Sequence, residues 1–131
     1  GIEPFLVASV LMVSFAQRLV RRVCPECRES YTPSRESLDF WGLTSSRGVS
    51  FQKAVGCDAC RHSGYQGRCG IFEVLVVSEK LQQMIAANRT IHEIAKVARD
   101  EGGMTSLRED VTQKLKQGIT TPEEAMSTVI A

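Results

Sequence analysis

Apolar residues recur at three- and four-residue intervals at both ends of the chain and gather into denser runs in the middle, which predicts a mixture of helices and strands. From Pro4, suited to a first helical turn, the positions Ala8, Leu11, Met12, Phe15 and Ala16 define one wide face. They predict a buried core helix over Phe5–Ala16. Arg18 to Val23 is expected to be extended, because it leads straight into the tight turn that begins at Cys24. Further on, Thr32-Pro33-Ser34 opens a short helix through Leu38, Phe40 and Trp41 that Gly42 ends, and Phe51 to Val55 reads as a strand. Arg68 to Val77 is the strongest strand, with Ile71, Phe72, Val74, Leu75, Val76 and Val77 all β-formers. Glu73 inside it calls for a partner, Arg68 being the candidate, or for a solvent-facing register.

The remainder predicts four helices. Ser78 caps the first, which Asn88 closes in a left-handed conformation. Thr90-x-x-Glu93, Ser106-x-x-Glu109 and Thr121-x-x-Glu124 each fit the capping box, in which the hydroxyl accepts from the fourth residue's N–H and the carboxylate returns to the first. Gly102-Gly103 and Gly118 supply the stops. The stripes Ile91, Ile94, Ala95, Ala98, then Leu107, Val111, Leu115, then Ala125, Met126, Val129 are read as core.

Chemistry enters with two matched pairs, Cys24-Pro25-Glu26-Cys27 and Cys57-Asp58-Ala59-Cys60, separated by 29 residues. A tetrahedral zinc ion prefers four soft ligands, and two Cys-x-x-Cys knuckles each present two thiolates from one turn. Pro25, Gly56 and Gly64 suit such turns. Redox centres, disulfides or unpartnered thiols compete with this reading, yet the paired spacing favours one tetrathiolate site on Cys24, Cys27, Cys57 and Cys60. His62 reads as a surface loop residue and Cys69 as a small side chain in a strand. An insert of this size calls on its metal for much of its folding free energy, zinc peptides binding with about 10–16 kcal/mol.

At 131 residues and 43% hydrophobic content the chain can bury a real core as one domain or two small ones. Its formal charge is +1, with nine Lys/Arg against six Asp/Glu in residues 1–70 and seven against nine in 71–131. That balance does not point to a nucleic-acid partner. Arg18, Arg21, Arg22 and Arg28 form a local basic run best explained by a solvated or protein-facing edge. Phe5–Ala16 is too short to cross a bilayer as a helix, and Glu3 in place of a basic cluster argues against a signal peptide. Reduced cysteine pairs suggest the cytoplasm. Gly1 is no initiator residue and opens directly on a structured-looking segment, as expected of a piece of a longer protein. No Gly-x-x-x-x-Gly-Lys-Ser/Thr loop and no nucleophilic triad pattern occurs.

Joined to their flanks, the knuckles carry a family resemblance. Its bearers are Val7-Ala8-Ser9, Ala16 to Arg21, Cys24-Pro25-Glu26-Cys27 with Tyr31, Val55 to Cys60, Gly64-Tyr65-Gln66-Gly67-Arg68 and Gly70 to Leu75. The tail adds Glu101-Gly102, Met104, Ser106 to Asp110 and Gly118 to Thr121. In this order they resemble the C-terminal part of the ATPases that drive type II secretion and type IV pilus assembly. Cys69, where an aliphatic residue is expected, and in the tail the doubled Gly102-Gly103 before Met104 and Val111, where the family often has glycine, are the departures.

The resemblance implies an α+β, mostly helical fold. Residues 1–23 would end a RecA-like ATPase core, 24–67 form a tetracysteine zinc-binding insert, 68–77 a core strand and 78–131 a C-terminal small helical bundle. It implies one structural zinc, with ATP and magnesium confined to the parent protein, upstream of Gly1. The parent resembles an ATP-hydrolysing motor; the fragment has no catalytic residues of its own. Implied partners are neighbouring subunits of a homohexameric ring and inner-membrane platform proteins, without nucleic acid or membrane insertion, at the cytoplasmic face of the inner membrane. Arg18 or Arg21 would link motor core and insert. The alternative is a stand-alone four-cysteine module that binds nucleic acid through Arg18, Arg21, Arg22, Arg28 and Trp41.

Overall fold

The computed structural model describes residues 1–130. The elements run α1 (Pro4–Val10), β1 (Val13–Val23), β2 (Glu29–Tyr31), α2 (Arg35–Phe40), β3 (Phe51–Lys53), a 3-10 turn (Asp58–Cys60), β4 (Tyr65–Val76), α3 (Glu79–Ala86), α4 (Ile91–Asp100), β5 (Met104–Thr105), α5 (Leu107–Lys116) and α6 (Pro122–Ile130). The fold is α+β. It is less dominated by helix than expected, since β1 and β4 reach 11 and 12 residues. One sheet has the order β1-β4-β5; a second, two-stranded sheet joins β2 to β3. Contacts divide the chain into two compact units, Gly1–Gln17 with Phe72–Ser106, and Arg18–Ile71 with the segment from Leu107 onward. The helices grouped over 78–131 are therefore shared out, α3 and α4 to the first unit, α5 and α6 to the second.

In the first unit α1 packs on α3, and α3 on α4. The predicted core helix over Phe5–Ala16 is the main correction. Helical bonding stops when the Leu11 N–H reaches Val7, and Leu11 itself is already extended. From Val13 the chain joins a sheet, where pairing with β4 outweighs the helical spacing of Phe15 and Ala16. Of the predicted apolar face only Ala8 is buried; Phe5, Met12 and Phe15 are exposed. Ala8, Leu81 and Ala98 are the fully packed side chains of this unit. β5 pairs antiparallel with β4 through Val74↔Thr105 and Leu75↔Met104. Glu73 is half-buried beside Phe15, Leu75 and Met104, and makes no ion pair with Arg68.

The caps follow the sequence closely where their chemistry is local. Ser78 accepts from the Leu81 N–H, Thr90 and Glu93 form the full reciprocal box, and Asn88 adopts φ 55°. Ile91, the first residue of α4, departs from its predicted stripe and is 77% exposed.

The second unit has a continuous core of Val20, Trp41, Phe51, Ile71, Val111, Leu115 and Ala125. Two of these, Trp41 and Phe51, come from between the cysteine pairs. β2 and β3 pair in the register Tyr31↔Phe51 and Ser30↔Gln52, with the Tyr31 and Phe51 rings edge to face at 6.4 Å. α5 then packs against both β3 and α6. The segment is thus fastened by apolar burial as well as by its cysteines, which the sequence pattern did not convey.

Candidate metal centre

Each knuckle is built by its own backbone. In the first, Cys24 leaves the end of β1 and its carbonyl accepts from the Arg28 N–H at 3.1 Å, closing the turn around Pro25 and Glu26. In the second, Cys57 enters the 3-10 turn extended, and its carbonyl accepts from the His62 N–H at 2.8 Å. Arg61 and His62 are both left-handed, which bends the chain back over the turn.

Two glycines are structurally required here. Gly56 has φ 110°, and a Cβ there would stand 2.9 Å from the His62 carbonyl oxygen. Gly64 has φ 78°, and a Cβ would meet the Ala54 Cβ at 2.7 Å. Gly64 also ties the two knuckles together, since its carbonyl accepts from the Cys24 N–H at 2.9 Å while its own N–H points at the Cys60 sulfur at 3.2 Å.

The four sulfurs of Cys24, Cys27, Cys57 and Cys60 all lie within 4.8 Å of one another. Cys24 to Cys57 and Cys27 to Cys60 are 3.9 Å apart, and Cys57 to Cys60 is 3.8 Å. Four thiolates at the ordinary zinc–sulfur length of about 2.3 Å in a tetrahedron require sulfur separations of about 3.8 Å. The donor set and its spacing fit that ion. Cys24 and Cys60 are buried and Cys27 and Cys57 half-buried, as suits a closed structural site rather than one with an open position.

Electrostatics favour anionic sulfur at one corner. Burial pushes the Cys60 thiol up, but the N–H groups of Cys57 and Gly64 and the neighbouring thiols outweigh it and hold it down to about 6. Burial, helped by hydrogen bonds with the neighbouring thiols, raises Cys27 to about 11, opposed by the Gly56 N–H. A bound divalent ion would stabilise the thiolate form of all four sulfurs.

His62 stays outside the cluster. It is 75% exposed and its Nε2 meets Asp58 Oδ1 at 3.0 Å. Cys69 is also apart, half-buried against the apolar core.

The chain matches the family described as Type II/IV secretion system protein over residues 1–127. It belongs to that family. It is similar to the Type IV pilus assembly ATPase PilB of Thermus thermophilus, 41% identical over 132 residues that cover 99% of this chain and 15% of that protein. It also resembles the Type II secretion system ATPase E of Vibrio cholerae, 40% identical over 126 residues covering 96% of this chain and 25% of the relative. A third relative, Type II secretion system protein E of Pseudomonas aeruginosa, is 36% identical over 126 residues, again 96% and 25%. The chain spans a quarter or less of these relatives' length.

Within this family member the tail segments that carried the resemblance have visible work. Gly118 to Thr121 docks beside β1: the Ile119 carbonyl accepts from the Val23 N–H at 2.9 Å and the Thr120 hydroxyl donates to the Arg21 carbonyl at 2.8 Å. Thr121 meets the Tyr65 hydroxyl at 2.7 Å and accepts from the Glu124 N–H. The other half of that expected capping box is absent. Glu124 instead accepts from the Arg21 backbone N–H at 2.9 Å and from its guanidinium at 2.8 and 3.0 Å, while that guanidinium lies 4.2 Å from the centre of the Tyr65 ring. Sequence reasoning missed this cluster, because its partners stand 103 residues apart and each has a satisfactory local explanation.

The arginines of the basic run stay exposed, but three of the four are engaged within the chain. Arg18 donates to the Thr128 carbonyl, Arg21 pairs with Glu124, Arg28 donates to the Gly118 carbonyl, and Trp41 is buried. Of the alternative nucleic-acid surface, the four arginines remain exposed and Trp41 is buried.

Burial pushes the Glu124 carboxyl up, and the two-pronged contact with Arg21 reverses this and holds it below the usual carboxylate range. A lowered carboxylate contributes stability that is present above its unfolded value of about 4.3 and is lost as pH falls through the folded value. Glu124→Gln is therefore expected to cost about 1–3 kcal/mol at neutral pH and to flatten the loss of stability below about pH 5, measured by urea denaturation across pH. An unchanged acid limb would remove this pair from the account.

Proposed function

We propose that this chain is the C-terminal zinc-binding and helical region of an ATPase that powers type II secretion or type IV pilus assembly. In this reading residues 1–23 and 68–77 end a RecA-like core, 24–67 form the tetracysteine insert, and 78–131 supply helices. One zinc on Cys24, Cys27, Cys57 and Cys60 is structural. ATP and magnesium are bound by the upstream part of the parent, which works as a homohexameric ring at the cytoplasmic face of the inner membrane with platform proteins as partners. The fragment contributes subunit and partner contacts.

The observation that carries the reading is the convergence of four thiols, from two knuckles 29 residues apart, at tetrahedral spacing in a member of this family. No helix among the described residues is long and apolar enough to cross a membrane. Two measurements test it. Elemental analysis of reduced, freshly purified chain should give about one zinc per molecule. The same preparation should release no phosphate from ATP above the buffer rate, whereas turnover proportional to chain concentration would contradict the assignment of catalysis to the upstream part.

A further inference from the structure

Beside the first knuckle lies a cleft of about 360 Å³, within the second unit and lined by Arg22, Pro25, Arg28, Gln66, Gln117 and Ile119 among others. We propose that it is a binding site for a phosphate ester, with Arg22 and Arg28 as the two cationic ligands. Four arginines fall between residues 18 and 28, and the structure commits them differently. Arg18 and Arg21 are used to hold α6. Arg22 and Arg28 both line this cleft, and among the described residues neither has a carboxylate within ion-pair distance. Glu26, on the same turn, is exposed and does not line it.

A guanidinium offers five N–H donors in a fixed plane that matches phosphate oxygens. Arg28 spends one at 3.2 Å on the Gly118 carbonyl, the C-terminal stop of α5, which positions the group at the wall and leaves its other donors available. Among the described residues, Arg22, Gln66 and Gln117 have no side-chain hydrogen-bond partner, so their donors remain for a ligand. Pro25 and Ile119 add apolar wall for the body of the ester. The volume lies in the range of about 300–1,000 Å³ common to small-molecule sites. A soluble phosphate compound and a phospholipid headgroup share this chemistry, and the test separates them.

The purified chain is titrated calorimetrically with pyrophosphate and, in parallel, floated with phosphatidylglycerol vesicles. Arg22→Gln carries the test, since Arg28 also caps α5 and its loss could act through folding. Saturable one-site binding of pyrophosphate that Arg22→Gln weakens about tenfold or more, and the exposed loop substitution Arg47→Gln leaves unchanged, is the expected result. Flotation that Arg22→Gln abolishes and pyrophosphate competes away also supports the site, with a lipid headgroup as the source. Absence of saturable binding in both arms, or equal weakening by Arg47→Gln, overturns the proposal.

Discussion

Cys57→Ser is expected to strip the chain of its metal and to unfold the segment between the knuckles. Serine is nearly isosteric with cysteine, so the loss does not come from a cavity; it comes from replacing a thiolate by a hydroxyl that stays protonated at neutral pH. Structural zinc sites in peptides bind with about 10–16 kcal/mol, as much as or more than the whole stability of about 5–15 kcal/mol typical of a small domain. Trp41 is the single tryptophan and is buried in the second unit's core, so its emission reports the segment directly. Zinc content should fall from about one per chain to near zero, with a red shift of that emission at ambient temperature. Cys69→Ser, outside the cluster, should keep both the metal and the Trp41 signal. A Cys57→Ser protein with full metal content and unshifted emission would remove Cys57 from the ligand set.

The second large effect is predicted for Phe51→Ala. Phe51 is completely buried among Val20, Trp41, Ile71, Val111, Leu115 and Ala125, and truncating such a ring costs about 3–5 kcal/mol through lost transfer energy and the cavity left behind. The expectation is a large drop in the urea midpoint while folded protein still carries its zinc, because the knuckles are shaped by their own turns rather than by this ring. A cost below about 1 kcal/mol would mean that the metal alone holds the insert in place.

That contrast marks what could be read from the chain and what could not. The knuckle turns and the caps at Ser78 and Thr90 were legible because each depends on chemistry within a few residues. The start of β1 was not. Met12 to Ala16 fits helical spacing, and only its partner β4, more than fifty residues later, makes it a strand. Glu124 fails for the same reason: its capping box is sound locally, and Arg21 claims the carboxylate from across the unit. The insert looked like an arm dependent on zinc alone because Trp41 and Phe51 gave no sign of where their cover, α5 and α6, would come from. The separation of α3 and α4 from α5 and α6 likewise rests on tertiary contacts, which the evenly spaced caps conceal.

The most direct measurement is a cobalt(II) titration of the reduced apo-chain, followed in the visible range and then challenged with zinc. Four cysteine sulfurs at 3.8 to 3.9 Å along the edges observed predict a sharp endpoint at about one equivalent, tetrahedral tetrathiolate d–d bands and thiolate charge transfer, and complete displacement by zinc. A titration without a stoichiometric endpoint, or with the weak spectrum of octahedral cobalt, would contradict the metal centre on which this account depends.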